Sequence, residues 1–266
     1  MICIFCKSDS SDSAPLEHII PESLGNKEHI VERGAVCGKC NNYFSSKVER
    51  PFLGLPVIIM ARFCEAVLSK KGRIPTVEAL LLPHSVEVVL SKDKHTGETS
   101  VLLPEGAADE VLQHGTGTLL LPHFGMLEPN RIVSRFMAKV ALEALCHRVE
   151  GADEYGAEIA MHPGLDPIRE HARRGDHGVW PVGIRKIYDS STAWMDGNCE
   201  PYQIMHEFDF LYTDENELYF VLVLFGQELV INLGGKSLEG WERWLDRHDH
   251  RSPLQVGKNA GETQIQ

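Results

Sequence analysis

The chain has 266 residues, 43% of them hydrophobic and 24% charged, the balance of an ordinary globular protein. That balance excludes collagen-like, low-complexity and wholly disordered chains. A net charge of −12 argues against coating nucleic acid through an overall field, but leaves room for a local nucleic-acid site.

The charge is unevenly spread. Residues 1–55 carry six bases and seven acids, so nearly all of the net negative charge lies beyond residue 55. Met1 runs directly into Cys3 and Cys6, without the basic and apolar regions of a signal peptide. No apolar run reaches the roughly 20 residues of a membrane helix. The expectation is a cytoplasmic protein with no membrane partner. Thiols stay reduced there. Its seven cysteines are therefore read as metal ligands or core residues before disulfides.

In chain order, residues 1–55 form a dense first region. A short strand is expected over Cys3–Cys6, then a polar loop over Ser8–Ser13. Leu16–Ile20 is strand-like and ends at Pro21. Gly34–Cys37 is a second short strand. Asn41 is placed to cap a helix running to about Arg50, closed by Pro51.

Residues 56–266 form a larger mixed α+β region with antiparallel strands. Pro56–Ser69 has helical spacing, with Gly72 as its stop. Val86–Leu90 and Ser100–Leu103 are expected to pair around Lys94–Gly97. Thr118–Leu121 is a further strand. Asn130 caps a helix over Arg131–Val149, whose apolar side includes Val133, Phe136, Met137 and Val140. Asp166–Arg174 is a short helix ended by Gly175. Three late strands follow, at Gln203–Tyr212, Leu218–Leu224 and Glu228–Leu233. Gly226–Gln227 is a hairpin turn. Ser252–Gln266 is polar and expected to fray.

Cys3-x-x-Cys6 and Cys37-x-x-Cys40 are the strongest chemical signal. Two such knuckles supply four thiolates, the donor set of a closed tetrahedral Zn²⁺ site. A zinc ion so saturated is structural, because it keeps no position open for water. Cys64, Cys146 and Cys199 read as core or neutral cysteines. Between the knuckles lies Glu17-His18-Ile19-Ile20-Pro21-Glu22-Ser23-Leu24-Gly25. Directly after the second comes Asn41-Asn42-Tyr43-Phe44, then Lys47 and Glu49.

In that combination, residues 1–55 resemble the HNH endonucleases, in a zinc-ribbon form with a Glu-His-Ile-Ile-Pro core. The resemblance implies a ββα-metal, treble-clef-like unit. It implies Glu17 as an acidic metal ligand, His18 as general base, and Asn41 as a second ligand. The family's middle Asn, which orients the base, has no clear match; Glu32 and Asn26 lie nearest. Mg²⁺ or Mn²⁺ suits such oxygen ligands. Glu49 falls eight residues after Asn41, roughly one helix face, and is either a further ligand or an ordinary salt-bridged helix position. Lys39 and Lys47 are candidate phosphate contacts.

The implied activity is metal-dependent hydrolysis of DNA, similar to restriction or phage-defence effectors. Residues 56–266 would then regulate, position or dimerise the nuclease. Two alternatives stay open: a non-catalytic zinc module that binds nucleic acid or protein, and an RNA nuclease with the same residues. A basic stretch at Arg169, His171, Arg173, Arg174, His177, Arg185 and Lys186 reads first as a solvated face paired with nearby acids. His29 reads as a solvated loop residue.

Overall fold

The computed structural model describes residues 1–13, 16–83, 85–114, 116–121, 125–149, 158, 161–175, 178 and 180–256. The fold is α+β, with every sheet antiparallel. Among the described residues no helix is long and apolar enough to cross a membrane.

The chain divides into two compact units. One comprises Met1–Pro21, Asn26–Phe52 and Met126–Gln266; the other comprises Glu22–Gly25 and Leu53–Gly125. This division differs from a boundary at residue 55. The first segment and the C-terminal region share a unit, and the stretch between them forms its own.

In the first unit, β1 (Glu17–His18) pairs with β2 (Ile30–Val31) in the register Glu17↔Val31, His18↔Ile30. The second strand is therefore Ile30–Val31 rather than Gly34–Cys37. Gly34, at φ 89°, turns the chain before the second knuckle. Cys3–Cys6 is a turn, not a strand, with only an isolated bridge between Ile2 and Asp9. Next come α1 (Gly38–Phe44), a π-helical turn over Ser45–Glu49, and α2 (Arg50–Leu53).

The helix starts earlier than Asn41. Cys37 caps it, extended at φ −73° and ψ 152°, with its sulfur accepting from the Cys40 N–H. The knuckle is itself the helix N-terminus. Pro51 does not end the helical run either. It is the second residue of α2, just beyond the π-helical turn, inside a run that continues unbroken from Gly38 to Leu53.

The second unit holds α3 (Pro56–Cys64), β3 (Val77–Leu82), β4 (Val86–Lys92), β5 (Thr99–Leu102), α4 (Ala108–His114) and β6 (Thr118–Leu120). The sheet order is β5-β4-β3-β6. The expected pairing of β4 and β5 is present. The central strand β3 was not anticipated. Its run VEALLL is too short and apolar for periodicity to separate strand from helix. The helix from Pro56 stops at Cys64, five residues short of expectation, and Ala66 turns left-handed at φ 52°. Met60, Phe63, Val77, Leu81, Val88 and Leu90 form this unit's core.

Back in the first unit, α5 (Arg131–Val149) is capped as expected, Asn130 Oδ1 accepting from the Ile132 and Val133 amides at 2.8 and 3.0 Å. α6 (Asp166–Arg174) ends at Gly175, left-handed at φ 64°. Then come β7 (Val182–Lys186), β8 (Ala193–Met195), β9 (Pro201–Gln203), β10 (His206–Tyr212), β11 (Leu218–Leu224), β12 (Gln227–Asn232), α7 (Glu239–Arg247) and α8 (Pro253–Val256). Residues 257–266, expected to fray, lie outside the described residues.

The main sheet has the order β10-β11-β12-β7. Tyr219, Val221 and Val230 pack on Trp241 and Leu245 of α7. The alternate residues Phe220, Leu222, Leu229 and Ile231 are equally buried. Helix α5 packs on β12, β7, β2 and α6. It is buried nearly all round, from Val133 to Cys146, as a helix at the centre of a fold must be.

The β11–β12 hairpin turns at Phe225 and Gly226, with φ 51° and 76°. Two positive φ values match the twist of the flanking strands. A Cβ on Gly226 would stand 2.1 Å from the Tyr188 carbonyl oxygen, which is backbone and cannot swing away. Gly226→Ala is expected to cost more than about 1 kcal/mol in a urea unfolding curve.

Candidate functional site

The four knuckle cysteines converge. The sulfurs of Cys3, Cys6, Cys37 and Cys40 all lie within 4.8 Å of one another. Cys6 and Cys37 stand 3.7 Å apart. Four sulfurs at 2.3 Å from a tetrahedral zinc would stand about 3.8 Å apart, so the set has the size such an ion requires. The Cys37 N–H points at the Cys3 sulfur at 3.4 Å. The Cys40 thiol, hydrogen-bonded to Cys3, pulls Cys3 down to about 4. The same bond pushes Cys40 up, and burial pushes Cys37 up.

Glu17 and His18 sit on β1, between the knuckles in sequence. The loop after them is tied by Asn26, which is fully buried. Its Nδ2 donates to the carbonyls of Ile20 and His29 at 2.8 and 2.9 Å. Its Oδ1 accepts from the amides of Glu28 and His29 at 3.1 and 2.9 Å. Asn26 thus uses both ends of its amide to hold the turn between β1 and β2. Its role is structural, at a position where the sequence shows only a polar loop. Glu32, the other nearby residue, is exposed.

The largest surprise comes from α5. Lys139 is fully buried, and its ammonium meets three carboxylates: Glu17 Oε1 at 2.8 Å, Glu49 Oε1 at 2.7 Å and Glu143 Oε2 at 2.8 Å. The His18 carbonyl lies at 3.4 Å. An ammonium has three N–H bonds, so three carboxylates use all of them. Burial alone would push the Lys139 amine down, but Glu143, Glu17 and Glu49 outweigh it and hold the group well above its ordinary value. Burial pushes the Glu143 carboxyl well above its own ordinary value, against the pull of Lys139. The sign is that of a raised amine, whose stabilisation is complete at neutral pH and lost only as pH climbs through the raised value.

Neither Lys139 nor Glu143 was singled out in the sequence. The signal was two charges four residues apart inside an otherwise apolar helix. Glu49, by contrast, is brought to Glu17 as a partner of the same ammonium. Asn41 lies inside α1, one residue after Cys40, half-buried, its N–H bonded to the Cys37 carbonyl. Lys39 and Lys47 are exposed on the same helical run.

The surroundings fix this geometry. Phe52 of α2 stacks on Phe136 of α5, ring centres 3.7 Å apart and planes 4° apart. Arg135 donates to the Tyr43 hydroxyl at 2.9 Å and to the closing carbonyls of α6, Ala172 and Arg173, at 3.1 and 2.7 Å. Lys7 bonds Asp166 at 2.6 Å. His29 is not solvated as expected. It is half-buried, with ring centres 5.0 Å from Phe208, 5.9 Å from His206 and 6.4 Å from His147.

The basic stretch is spent on local ion pairs. Arg169 bonds Asp166, Arg173 and Arg174 bond Glu170, Arg185 bonds Glu228, and Lys186 bonds Asp189. His171 is buried against Ser134, at 3.0 Å. His177 lies outside the described residues. Cys146 is buried, whereas Cys64 and Cys199 are exposed.

Residues 3–54 match the HNH endonuclease family. No curated protein and no solved structure matches the chain. The HNH segment covers the four cysteines, Glu17, His18, Asn41 and Glu49. It stops short of Lys139, so the partner of its acidic residues lies outside it.

Glu17, Glu49 and Asn41 offer hard oxygen donors, which fit a divalent ion such as Mg²⁺ or Mn²⁺ in type. Lys139 contacts one oxygen of each carboxylate, and the Glu17 and Glu49 side chains keep 11% and 15% of their surface in solvent. Soft sulfur donors suit the cysteine cluster to a zinc ion instead. One equivalent of zinc per chain is expected by elemental analysis, with its loss in Cys37→Ser. Removing Lys139 alone strands three carboxylates. Lys139→Met is expected to destabilise the protein by about 3–5 kcal/mol in chemical denaturation.

Proposed function

We propose that the protein is a metal-dependent endonuclease that hydrolyses DNA phosphodiester bonds. The observation that carries this reading is the HNH match over residues 3–54, with Glu17 and His18 on β1 of the first hairpin. Zinc on the four cysteines fixes the turn before β1 and the start of α1. The frame therefore holds Asn41 and the β1 residues in place without taking part in the chemistry.

Water attacks phosphorus poorly until its proton is removed. His18, an imidazole, is the base that takes that proton. Glu17, Asn41 and Glu49 hold the divalent ion, whose contribution is Lewis-acid stabilisation of the charge on the phosphate and the leaving oxygen. Exposed Lys39 and Lys47 contact flanking phosphates. The products are 5′-phosphate and 3′-hydroxyl ends. Residues 56–266 serve as more than a passive tail, because α5 reaches the acidic residues of the hairpin.

One observation favours a second reading, a zinc module without hydrolysis. Lys139 already neutralises part of the charge on Glu17 and Glu49. Plasmid nicking with Mg²⁺ or Mn²⁺, beside a zinc-loaded His18→Ala variant, separates the two. The nuclease reading expects cutting by the wild type and a loss of about a hundredfold or more in the variant. Equal rates in both would overturn His18 as the base. Silence of the wild type on both DNA and RNA would favour the binding module.

A further inference from the structure

We propose that Lys139 of α5 is a positioning residue of the acidic metal site, an inference that rests on the nuclease reading above. Its ammonium holds Oε1 of Glu17 and Oε1 of Glu49, and so turns the second oxygen of each toward a divalent ion. The HNH segment is then completed by a residue supplied 90 positions after Glu49.

Three features carry the argument. The first is saturation. Lys139 has three protons and three carboxylate partners within 2.7–2.8 Å, so its head group has no rotational freedom left. The carboxylates are therefore held as firmly as the ammonium. The second is anchoring. The helical run that carries Glu49 is locked to α5 at two levels, by the Phe52–Phe136 stack and by the Arg135–Tyr43 bond. Lys139 lies one turn beyond Arg135, and Glu143 one turn beyond that, so the head group is fixed from the backbone outward. The third is charge. The ammonium cancels one of the three negative charges of Glu17, Glu49 and Glu143, so the cluster keeps a net negative charge. The pair keeps an attraction for a cation while its mutual repulsion is suppressed.

The two outer carboxylates keep 11% and 15% of their side-chain surface in solvent, an edge that a small ion can approach. Glu143 shows the contrast. It is fully buried, on the helix of Lys139 itself, whereas Glu17 and Glu49 reach the surface. The inner carboxylate completes the support for the ammonium, and the two outer ones present an edge. The His18 carbonyl, the fourth neighbour of Lys139, links the same head group to the backbone of the proposed base.

The test uses the full chain and Mn²⁺ alone as probe. Lys139→Met strands buried carboxylates and risks the fold, so the working variant is Lys139→Met with Glu143→Leu. Replacing a buried ion pair by apolar groups of similar size is often neutral for stability. Zinc content and thermal melting report the fold. Mn²⁺ affinity without DNA, by electron paramagnetic resonance, reports the site. Nicking kinetics report function, and Lys139→Arg tests rescue by a second cation.

In the double variant, zinc content is expected to hold and melting to fall less than in Lys139→Met, because two carboxylates rather than three lose their counter-charge. Its Mn²⁺ affinity and kcat should fall by about 10- to 100-fold, as when supports behind metal ligands are removed. DNA binding should not change. Lys139→Arg should recover much of the Mn²⁺ affinity. Unchanged or tighter Mn²⁺ binding in the folded double variant would overturn the positioning role, and tighter binding would make Lys139 a competitor for the ion's place. A wild type that neither binds Mn²⁺ nor nicks would overturn the nuclease reading itself, a different outcome from a variant that matches an active wild type.

Discussion

A fully buried ammonium is tolerable only if each of its protons meets an acceptor and its charge meets an opposite one. In this protein that requirement is met at Lys139, and it joins parts of the chain far apart in sequence. Glu17 comes from the first hairpin, Glu49 from the π-helical turn, and Lys139 and Glu143 from the central helix. With the Phe52–Phe136 stack and the Arg135–Tyr43 bond, the contact joins residues 1–21 and 26–52 to residues 126–266 in one compact unit. The hairpin is not a free-standing module with an appendage. Separated from α5, it would present two adjacent carboxylates with no counter-charge.

The intervening stretch follows another logic. Leu53–Gly125 has its own four-stranded sheet and its own core, with Met60 and Phe63 of α3 set among Val77, Leu81, Val88 and Leu90. Topologically it is an insertion between α2 and α5, and the chain resumes the first unit after it. The partner of Glu49 therefore lies beyond the insertion, in residues 126–266, where most of the chain's net negative charge also lies.

What the sequence reveals depends on how local the cause is. The cysteine pairs were legible because two short spacings and one donor type define a zinc site without any knowledge of the fold. The caps were legible for the same reason. Asn130 starts α5 and Gly175 ends α6 through bonds and φ values that involve neighbours only. Asn26 was missed because its four bonds all go to backbone atoms, which carry no sequence signature. Lys139 was missed because its partners lie 122 and 90 residues away on one side, and its local pair with Glu143 looks like any surface i,i+4 bridge. The periodicity around them placed both on a helix but gave no account of a helix buried on every side.

The two charge clusters of the first unit divide their labour by chemistry. Four sulfurs at zinc spacing are soft donors that no side-chain cation can match, because an ammonium is hard and binds oxygen better. The carboxylates are hard donors, and an ammonium satisfies them. The cysteine cluster must therefore import its cation, whereas the carboxylate cluster carries one in the chain. Under the proposed nuclease reading, an ion at Glu17 and Glu49 would come and go without leaving these carboxylates unpaired, since Lys139 remains beside them. A site that must exchange its metal or open to a phosphate gains from such a permanent counter-charge. The zinc frame, which only holds the knuckles together, has no such need. The fold thus separates a cation that shapes the protein from one that would serve the reaction.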